Sequence, residues 1–141
     1  MKTAEGERPK VGVGVMLLDS AGLVLLGKRR GAHGVSTYGW CGGHVEFGET
    51  LEEAARREVL EETGIAAGEL KFLCVSNLLG YGKHYVDVEF VCTDFDGSPR
   101  ITEPDRVENW DWYRFDALPS PLFGAVDLAI QSHRAGRVYN A

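Results

Sequence analysis

Cysteine is scarce in this chain. Its three residues, Cys41, Cys74 and Cys92, are too few and too odd in number to staple a fold of 141 residues. No Cys/His spacing of the zinc type accompanies them, which argues against a disulfide scaffold and against a structural zinc centre. Reduced surroundings are expected, with Cys74 and Cys92 as core residues. Apolar runs of 18 residues are absent, which excludes a transmembrane helix, and no membrane partner is expected. The opening MKTAEGERPK lacks the apolar centre of a signal peptide, so a cytoplasmic location is expected. An excess of positive charge is also missing. Lys and Arg total 15 against 21 Asp and Glu, for a net charge of -6, and no large basic patch offers itself to a polymeric nucleic acid. Internal repeats, low-complexity stretches and linkers are absent too, so residues 1–141 are expected to form one domain. At 44% hydrophobic and 26% charged, the composition is that of an ordinary globular chain. A chain of this length buries roughly two-thirds of its unfolded surface.

Period-2 patterning places strands at residues 11–18, 23–27, 72–76, 84–92 and 110–115, with turns at 19–22 and 96–99. In the fourth of these, Val86, Val88, Phe90 and Cys92 alternate with Tyr85, Asp87, Glu89 and Val91, which predicts a strand with one polar side. Trp110 and Trp112 alternate as packing aromatics do on a half-buried strand. Ser120 and Pro121 read as the N-cap and first position of a final helix, with Leu122, Val126, Ala129, Ile130 and His133 as its buried stripe. Two helices and at least five strands make a mixed α/β chain.

What stands out is residues 43–65, GHVEFGETLEEAARREVLEETGI. Thr50 followed by Glu53 is a capping-box signature, and Gly64 supplies the left-handed residue that ends many helices, so the spacing predicts a helix over 51–63. At 3.6 residues per turn, Leu51, Ala54, Ala55, Glu58 and Glu62 share one face, with Glu61 at its edge and Arg57 one turn before Glu61. The face starts apolar and turns acidic. A wholly solvated face has no need of Leu51 and Ala55. Carboxylates that continue an apolar stripe are partly buried and need partners; Arg57 answers one of them and the others require cations. Glu52, Glu53 and Arg56 point outward and serve solubility. Seven Glu stand against two Arg in the segment. A triphosphate would add more negative charge, and a like-charge pair at about 4 Å costs about 4 kcal/mol at an effective dielectric near 20. Oxygen-only donors select hard cations: Mg²⁺ is expected and Mn²⁺ tolerated.

The segment fits the pattern G-x5-E-x7-R-E-U-x-E-E-x-G-U, with U apolar, through Gly43, Glu49, Arg57, Glu58, Val59, Glu61, Glu62, Gly64 and Ile65. A chance match is expected in well under roughly one in a million windows. The chain therefore resembles the Nudix (MutT-like) hydrolases, which cleave a diphosphate linked to another group with divalent metal. The resemblance implies the Nudix fold, a mixed sheet layered between helices as an α/β/α sandwich. It also implies that the Gly42 carbonyl joins Glu58 and Glu62, with Glu61, as metal ligands. Glu108 is the further metal carboxylate by resemblance, and Glu103 is the competing choice. Glu61, Arg57 and Glu49 are the catalytic candidates. Glu61 is best placed as general base, with Glu58 as rival. Cys41 stands where the family usually has Pro before Gly-Gly. That departure spares the ligands but removes a fixed φ from the loop.

VLLGKRRGAHG, GGHVEFGET, VSN, HYV, EPDRVENWDWY and LPSPLF extend the resemblance over nearly the whole chain, towards a branch containing 8-oxo-dGTP diphosphatases. The implied reaction is hydrolysis of a nucleoside triphosphate, possibly a modified one, to a monophosphate and pyrophosphate. Alternatives are another nucleoside diphosphate-linked substrate, such as ADP-ribose or a nucleotide sugar, and a non-catalytic nucleotide-binding module. Three intact glutamates argue against the last. Lys28, Arg29 and Arg30 precede a glycine-bearing loop, residues 31–39, and of these Arg29 is the candidate for a phosphate or base contact. Tyr38, Trp40, His44, Tyr85 and Phe123 are the candidates for the base pocket. The branch contains homodimers, and the aromatics around Trp110, Trp112 and Phe123 are expected to offer the apolar surface for one.

Overall fold

Alternating Val and Gly in residues 10–17 set the centre of the molecule. In the computed structural model, which describes residues 7–31, 34–80 and 82–141, this run is strand β1 (Lys10–Leu17). Strand β2 (Val24–Arg29) follows, then β3 (Tyr38–Gly39), β4 (Cys41–His44), helix α1 (Leu51–Thr63), β5 (Ala66–Ala67), β6 (Lys71–Gly80), β7 (Lys83–Cys92), β8 (Phe95–Asp96), β9 (Val107–Tyr113), helix α2 (Gly124–Ala135) and β10 (Tyr139–Asn140). The main sheet runs β10-β6-β7-β1-β4. Within it β1 is parallel to β7, and β6 antiparallel to β7. A second sheet, β3-β2-β9, is antiparallel throughout.

Successive side chains of a strand point to opposite faces, and β1 divides its residues accordingly. Val13, Val15 and Leu17 join Cys41, Val88, Phe90 and Cys92 under Ala54, Ala55 and Val59 of α1. Met16 faces the other way, into a cluster with Cys74, Trp40, Val24 and Leu26 under Val126, Ala129 and Ile130 of α2. The helices thus cover opposite faces of a mixed sheet, the layered Nudix architecture that the resemblance implies. All three cysteines are buried and free. Among the described residues no helix is long and apolar enough to cross a membrane.

Helix α1 forms over the predicted span. Thr50 Oγ1 accepts from Glu53 N, Glu53 Oε1 accepts from Thr50 N in return, and Gly64 ends the helix at φ 78°. Glu53 is therefore a cap as well as a solubilising charge. Arg56 also does more than solubilise: its Nε donates to Gly68 O at 2.9 Å.

The final helix starts later than predicted. Its N-cap is Phe123, without a side-chain bond, and the Ser120–Pro121 peptide is cis. The cause lies in β3: Tyr38 N donates to Pro121 O and Phe123 N to Tyr38 O, so residues 121–123 are drawn out as an extended partner of that strand. Val126, Ala129 and Ile130 are buried as expected and Leu122 is partly buried ahead of the helix. His133 is exposed and stacks on Phe115, while Ala125 and Ser132 complete the buried face.

One further expectation fails. Trp110, Trp112 and Phe123 do not form an exposed apolar surface. Each is partly buried; Trp112 stacks on Phe95, and Trp110 donates from Nε1 to Glu62 O. The polar side expected of β7 is there, and it faces inward: Asp87 is 7% exposed and Glu89 2%.

Candidate active site

The segment from β4 to α1 is organised by one guanidinium. Arg57 Nε donates to Glu49 Oε2 at 2.7 Å and Nη2 to Glu49 Oε1 at 3.0 Å, a bidentate pair. Nη1 reaches Glu58 Oε1 at 2.8 Å and Glu61 Oε1 at 3.1 Å, and Nη2 also binds His44 O at 3.0 Å. Glu46 lies 3.8 Å from Nη1, and its own N–H donates to Glu49 Oε1. Hydrogen bonds from Glu49, then from Glu61 and Glu58, raise the guanidinium above its ordinary range, so it is permanently charged. In return Glu49 is lowered, first by Arg57 and then by the Glu46 N–H.

Glu62 lies on the inner side of the helix. Its Oε2 accepts from Gly42 N at 3.1 Å. Burial pushes its carboxyl well above the usual carboxylate range, the hydrogen-bonded neighbour Glu58 pushes it further, and Gly42 N–H opposes both. The Cys41 thiol is likewise raised by burial and then by Glu62. Gly43 is what lets Glu58 lie flat on the loop. A Cβ there would stand 2.5 Å from the Glu58 carboxyl carbon, too close for any side chain to be accommodated without moving it. Glu61 is the outermost of the three, its side chain 46% exposed, with Arg57 as its ion-pair partner.

Among the described residues no three His, Cys, Asp or Glu side chains converge as a ligand cage. Glu58 and Glu61 turn to Arg57, and Glu62 turns to Gly42. The donor set nevertheless fits a hard cation. It offers only oxygen, and Glu58 and Glu62 stand side by side with Arg57 bonded to Glu58 alone of the two.

The remaining candidates fall into separate groups. Glu108 does not join the glutamate cluster; it lies 3.6 Å from Lys28 and 4.0 Å from Arg30. Glu103 does feel the cluster. Its carboxyl is raised by burial and by the charges of Glu58 and Glu61, with Arg106 opposing, and it raises Glu62 in turn. His44 Nε2 of β4 and the Tyr85 hydroxyl of β7, the strands on either side of β1, are 2.8 Å apart. The Arg29 guanidinium stacks on the Phe123 ring at 4.1 Å. Tyr38 meets Tyr113 edge-on at 6.3 Å. Trp40 is buried and donates from Nε1 to Glu89 Oε1 at 2.7 Å. Residues 31–39 bring Gly34 and Gly39 against Phe123, while Ala32 and His33 of that loop lie outside the described residues, as do the first six residues of the chain. Sequence reasoning missed the inward turn of Asp87 and Glu89. The available signal was Gly14 in the neighbouring strand, where a side chain would collide with the Glu89 carboxyl.

The NUDIX domain family matches residues 8–131. An oxidized purine nucleoside triphosphate hydrolase of Danio rerio is 31% identical over 121 residues, covering 81% of this chain and 72% of the relative. The NAD-capped RNA hydrolase NudC of Edwardsiella ictaluri is 33% identical over 99 residues, but the match covers only 37% of that longer protein. The crystal structure of a MutT NUDIX hydrolase from Burkholderia pseudomallei superposes with a TM-score of 0.85 at 38% identity, over 89% of this chain and 98% of that one. The NUDIX domain of Shewanella oneidensis NrtR, complexed with ADP ribose, shares the fold at TM-score 0.77 and 21% identity, over 92% of this chain and 88% of that one. With its Arg57-centred glutamates seated on the loop–helix that the pattern marks, the chain belongs to the Nudix hydrolases, enzymes that act on phosphorus-containing anhydrides.

Proposed function

We propose that the protein hydrolyses a nucleoside triphosphate, a modified one included, to the nucleoside monophosphate and pyrophosphate, in dependence on Mg²⁺ with Mn²⁺ tolerated. The observation that carries this reading is the Glu58–Glu62 pair: two adjoining carboxyls, of which Arg57 answers Glu58 while the deeply buried Glu62 is met by the Gly42 N–H. Such a pair is unfavourable without a cation and well suited to one. Glu58, Glu62 and the Gly42 carbonyl would hold the metal, with Glu61 at its margin. A bound divalent ion would screen the phosphates and acidify an attacking water.

Each neighbouring residue then has a task. Arg57 and Glu49 fix the acidic end of the loop and the helix in register. Glu61, exposed and at the edge, accepts the proton of the attacking water, with Glu58 as its rival. Glu103 is the better further carboxylate, because Glu108 is already countered by Lys28 and Arg30. Arg29, Tyr38, Trp40, His44, Tyr85 and Phe123 would surround the nucleoside. The triphosphate reading is favoured over a capped-RNA one because the match to the oxidized-purine relative spans most of both chains, and over an ADP-ribose one because that relative is 31% identical against 21% for the ADP-ribose-bound domain. The NudC match spans a minor part of its relative. A homodimer and a cytoplasmic location belong to the same proposal. The dimer is supported by the family resemblance alone, and a species of only 15.5 kDa in light scattering would oppose it.

A panel of canonical, oxidised and methylated nucleoside triphosphates, with NAD, ADP-ribose and nucleotide sugars, tests the reaction by product identification. Monophosphate plus pyrophosphate from a triphosphate is expected. Turnover confined to the diphosphate-linked compounds would move the chain to that class, and no turnover of any would leave a binding module.

A further inference from the structure

The last four carbonyls of a helix have no partner within it. In α1 these belong to Leu60, Glu61, Glu62 and Thr63, the turn that carries the acidic residues. Gly64 N donates to the first, Leu60 O, at 2.9 Å. The other three are met by a single stretch of chain, residues 100–110. Arg100 N donates to Thr63 O at 2.9 Å, the Thr102 hydroxyl to Glu61 O, and Trp110 Nε1 to Glu62 O at 3.2 Å.

These three bonds are not equivalent. Arg100 bonds through its main chain, and its guanidinium lies over Gly64, where a Cβ would collide with it. Trp110 packs against the core cluster under α1. Both therefore hold the helix end as part of the packed fold. Thr102 is exposed, and so is its bond. An exposed carbonyl finds water readily, so the hydroxyl is not needed to satisfy it. What the bond does fix is the position of the next residue, Glu103.

Glu103 is held on its other flank as well. Its carbonyl accepts from Arg106 N at 2.9 Å and from Val107 N at 3.1 Å, which closes a turn. Arg30, just past β2, ties that turn down: its Nη1 donates to Pro104 O at 3.0 Å and its N to Arg106 O at 2.8 Å. The main chain is thus fixed before and after Glu103, while among the described residues no ion pair engages its carboxyl. The residue is half-buried, and its carboxyl is raised first by burial, with Arg106 opposing and the charges of Glu58 and Glu61 adding. It therefore stands within electrostatic reach of the acidic turn.

Resting on the metal reading above, we infer that Thr102 is a positioning residue of the hydrolytic centre: by bonding the Glu61 carbonyl, its hydroxyl sets the Glu103 carboxylate against the acidic turn of α1, where it serves the same divalent cation as Glu58 and Glu62. Thr102 touches neither substrate nor cation, and its effect passes through Glu103. Partners that orient a ligand from behind alter metal affinity or activity about 10–100-fold when removed. A hydroxyl that merely capped the helix would act on stability alone.

Thr102→Val keeps the shape and removes the donor; Thr102→Ser keeps the donor. Mn²⁺ binding without nucleotide, measured by calorimetry, is read for both, for Glu103→Gln, and for Thr102→Val combined with Glu103→Gln. Glu103→Gln is expected to weaken Mn²⁺ binding about tenfold. Thr102→Val is expected to weaken it several-fold, and Thr102→Ser to restore it. In the Glu103→Gln background, Thr102→Val is expected to change affinity by less than about twofold, because both substitutions act on one contact. With a hydrolysed nucleotide at limiting Mg²⁺, Thr102→Val is expected to lower kcat several-fold with KM nearly unchanged. Equal losses from Thr102→Val with and without Glu103→Gln, or a loss seen only in Tm, would make Thr102 a cap and overturn the inference. Wild-type Mn²⁺ affinity in Glu103→Gln overturns it as well. A wild-type chain that binds no Mn²⁺ would sink the metal reading and this inference with it. A chain that binds Mn²⁺ but cleaves no triphosphate fails the triphosphate reading only, and the binding measurements still decide the role of Thr102.

Discussion

The molecule holds two acidic clusters, one on either side of the main sheet, and they are built on opposite principles. Around Arg57, four carboxylates share one guanidinium at a half-open edge, and each charge has a partner or solvent. At Asp87 and Glu89, two carboxyls lie under the sheet's other face with an indole N–H and each other. The first is a network that tolerates ionisation. The second tolerates it only in part, and it leaves one buried acceptor, Asp87 Oδ2, without a partner. An enzyme that moves phosphate needs the former arrangement, whereas the latter belongs to the closed interior. Between them, Glu62 has the burial of the second cluster and the neighbours of the first.

The comparison breaks most visibly at Glu62. Glu62→Gln keeps the shape and removes the charge, and turnover is expected to fall at least a hundredfold, about 2.7 kcal/mol in barrier height. Thermal stability without metal is expected to hold or rise, since a poorly compensated buried carboxylate is gone. Steady-state rates across a Mg²⁺ titration, with a melting curve, check both. Near-wild-type turnover at saturating Mg²⁺ would remove Glu62 from the metal.

Glu61→Gln separates a base from a ligand. As base, Glu61 is expected to lose at least tenfold in turnover on substitution, together with the acidic limb of the pH–rate profile, while Mg²⁺ affinity stays. Collapse of metal affinity along with activity would make it a ligand and return the base to Glu58. Arg57→Ala is expected to reduce turnover about tenfold with a smaller change in KM, because loosening the carboxylates displaces the reacting groups without removing a substrate contact. A large rise in KM at unchanged turnover would instead identify Arg57 as a phosphate clamp.

The smallest expected effect is on stability against pH, and the two clusters have opposite signs. Glu49 is lowered in the fold, so its contribution is present above the ordinary carboxylate range and is lost as pH falls through that range. Glu89 is raised, so its contribution is full below the ordinary range and is lost as pH rises towards its folded value. Glu89→Gln is expected to flatten the decline of Tm on the neutral side of pH 5 or so. Glu49→Gln is expected to flatten the acid side. Indistinguishable Tm–pH profiles for the two variants would dissolve the contrast between the clusters.

The sequence made helix α1 legible because its signals are local: Thr50, Glu53 and Gly64 act within the helix itself. The Arg57–Glu61 link was legible for the same reason, while Glu49 was marked by the family pattern and its bond to Arg57 required the loop to fold back on the helix. Long-range pairing hid the rest. Residues 121–123 carry a helix-start signal, yet β3 captures them as an extended edge. Asp87 and Glu89 alternate as a solvated strand side does, and only the parallel register with Gly12 and Gly14 turns that side inward. His133 sits on the apolar stripe by count but lies at the exposed end of α2 against Phe115. Glu103 and Glu108 could not be separated until the fold placed Lys28 and Arg30 beside Glu108 and Glu58 near Glu103.

The two ends of α1 are closed by very different lengths of chain. At its start, Thr50 and Glu53 bond across three residues. At its acidic end, the carbonyls of Glu61 and Glu62 are taken by the Thr102 hydroxyl and the Trp110 indole, 41 and 48 residues further along the sequence. Short loops close early and long ones late. A nascent chain can therefore wind the first turns of α1 as soon as they emerge, but the turn that bears the chemistry is seated only after β9 has been made and has returned to it. The hydrolytic centre is finished from the far side of the chain, among the last parts of the fold to be secured.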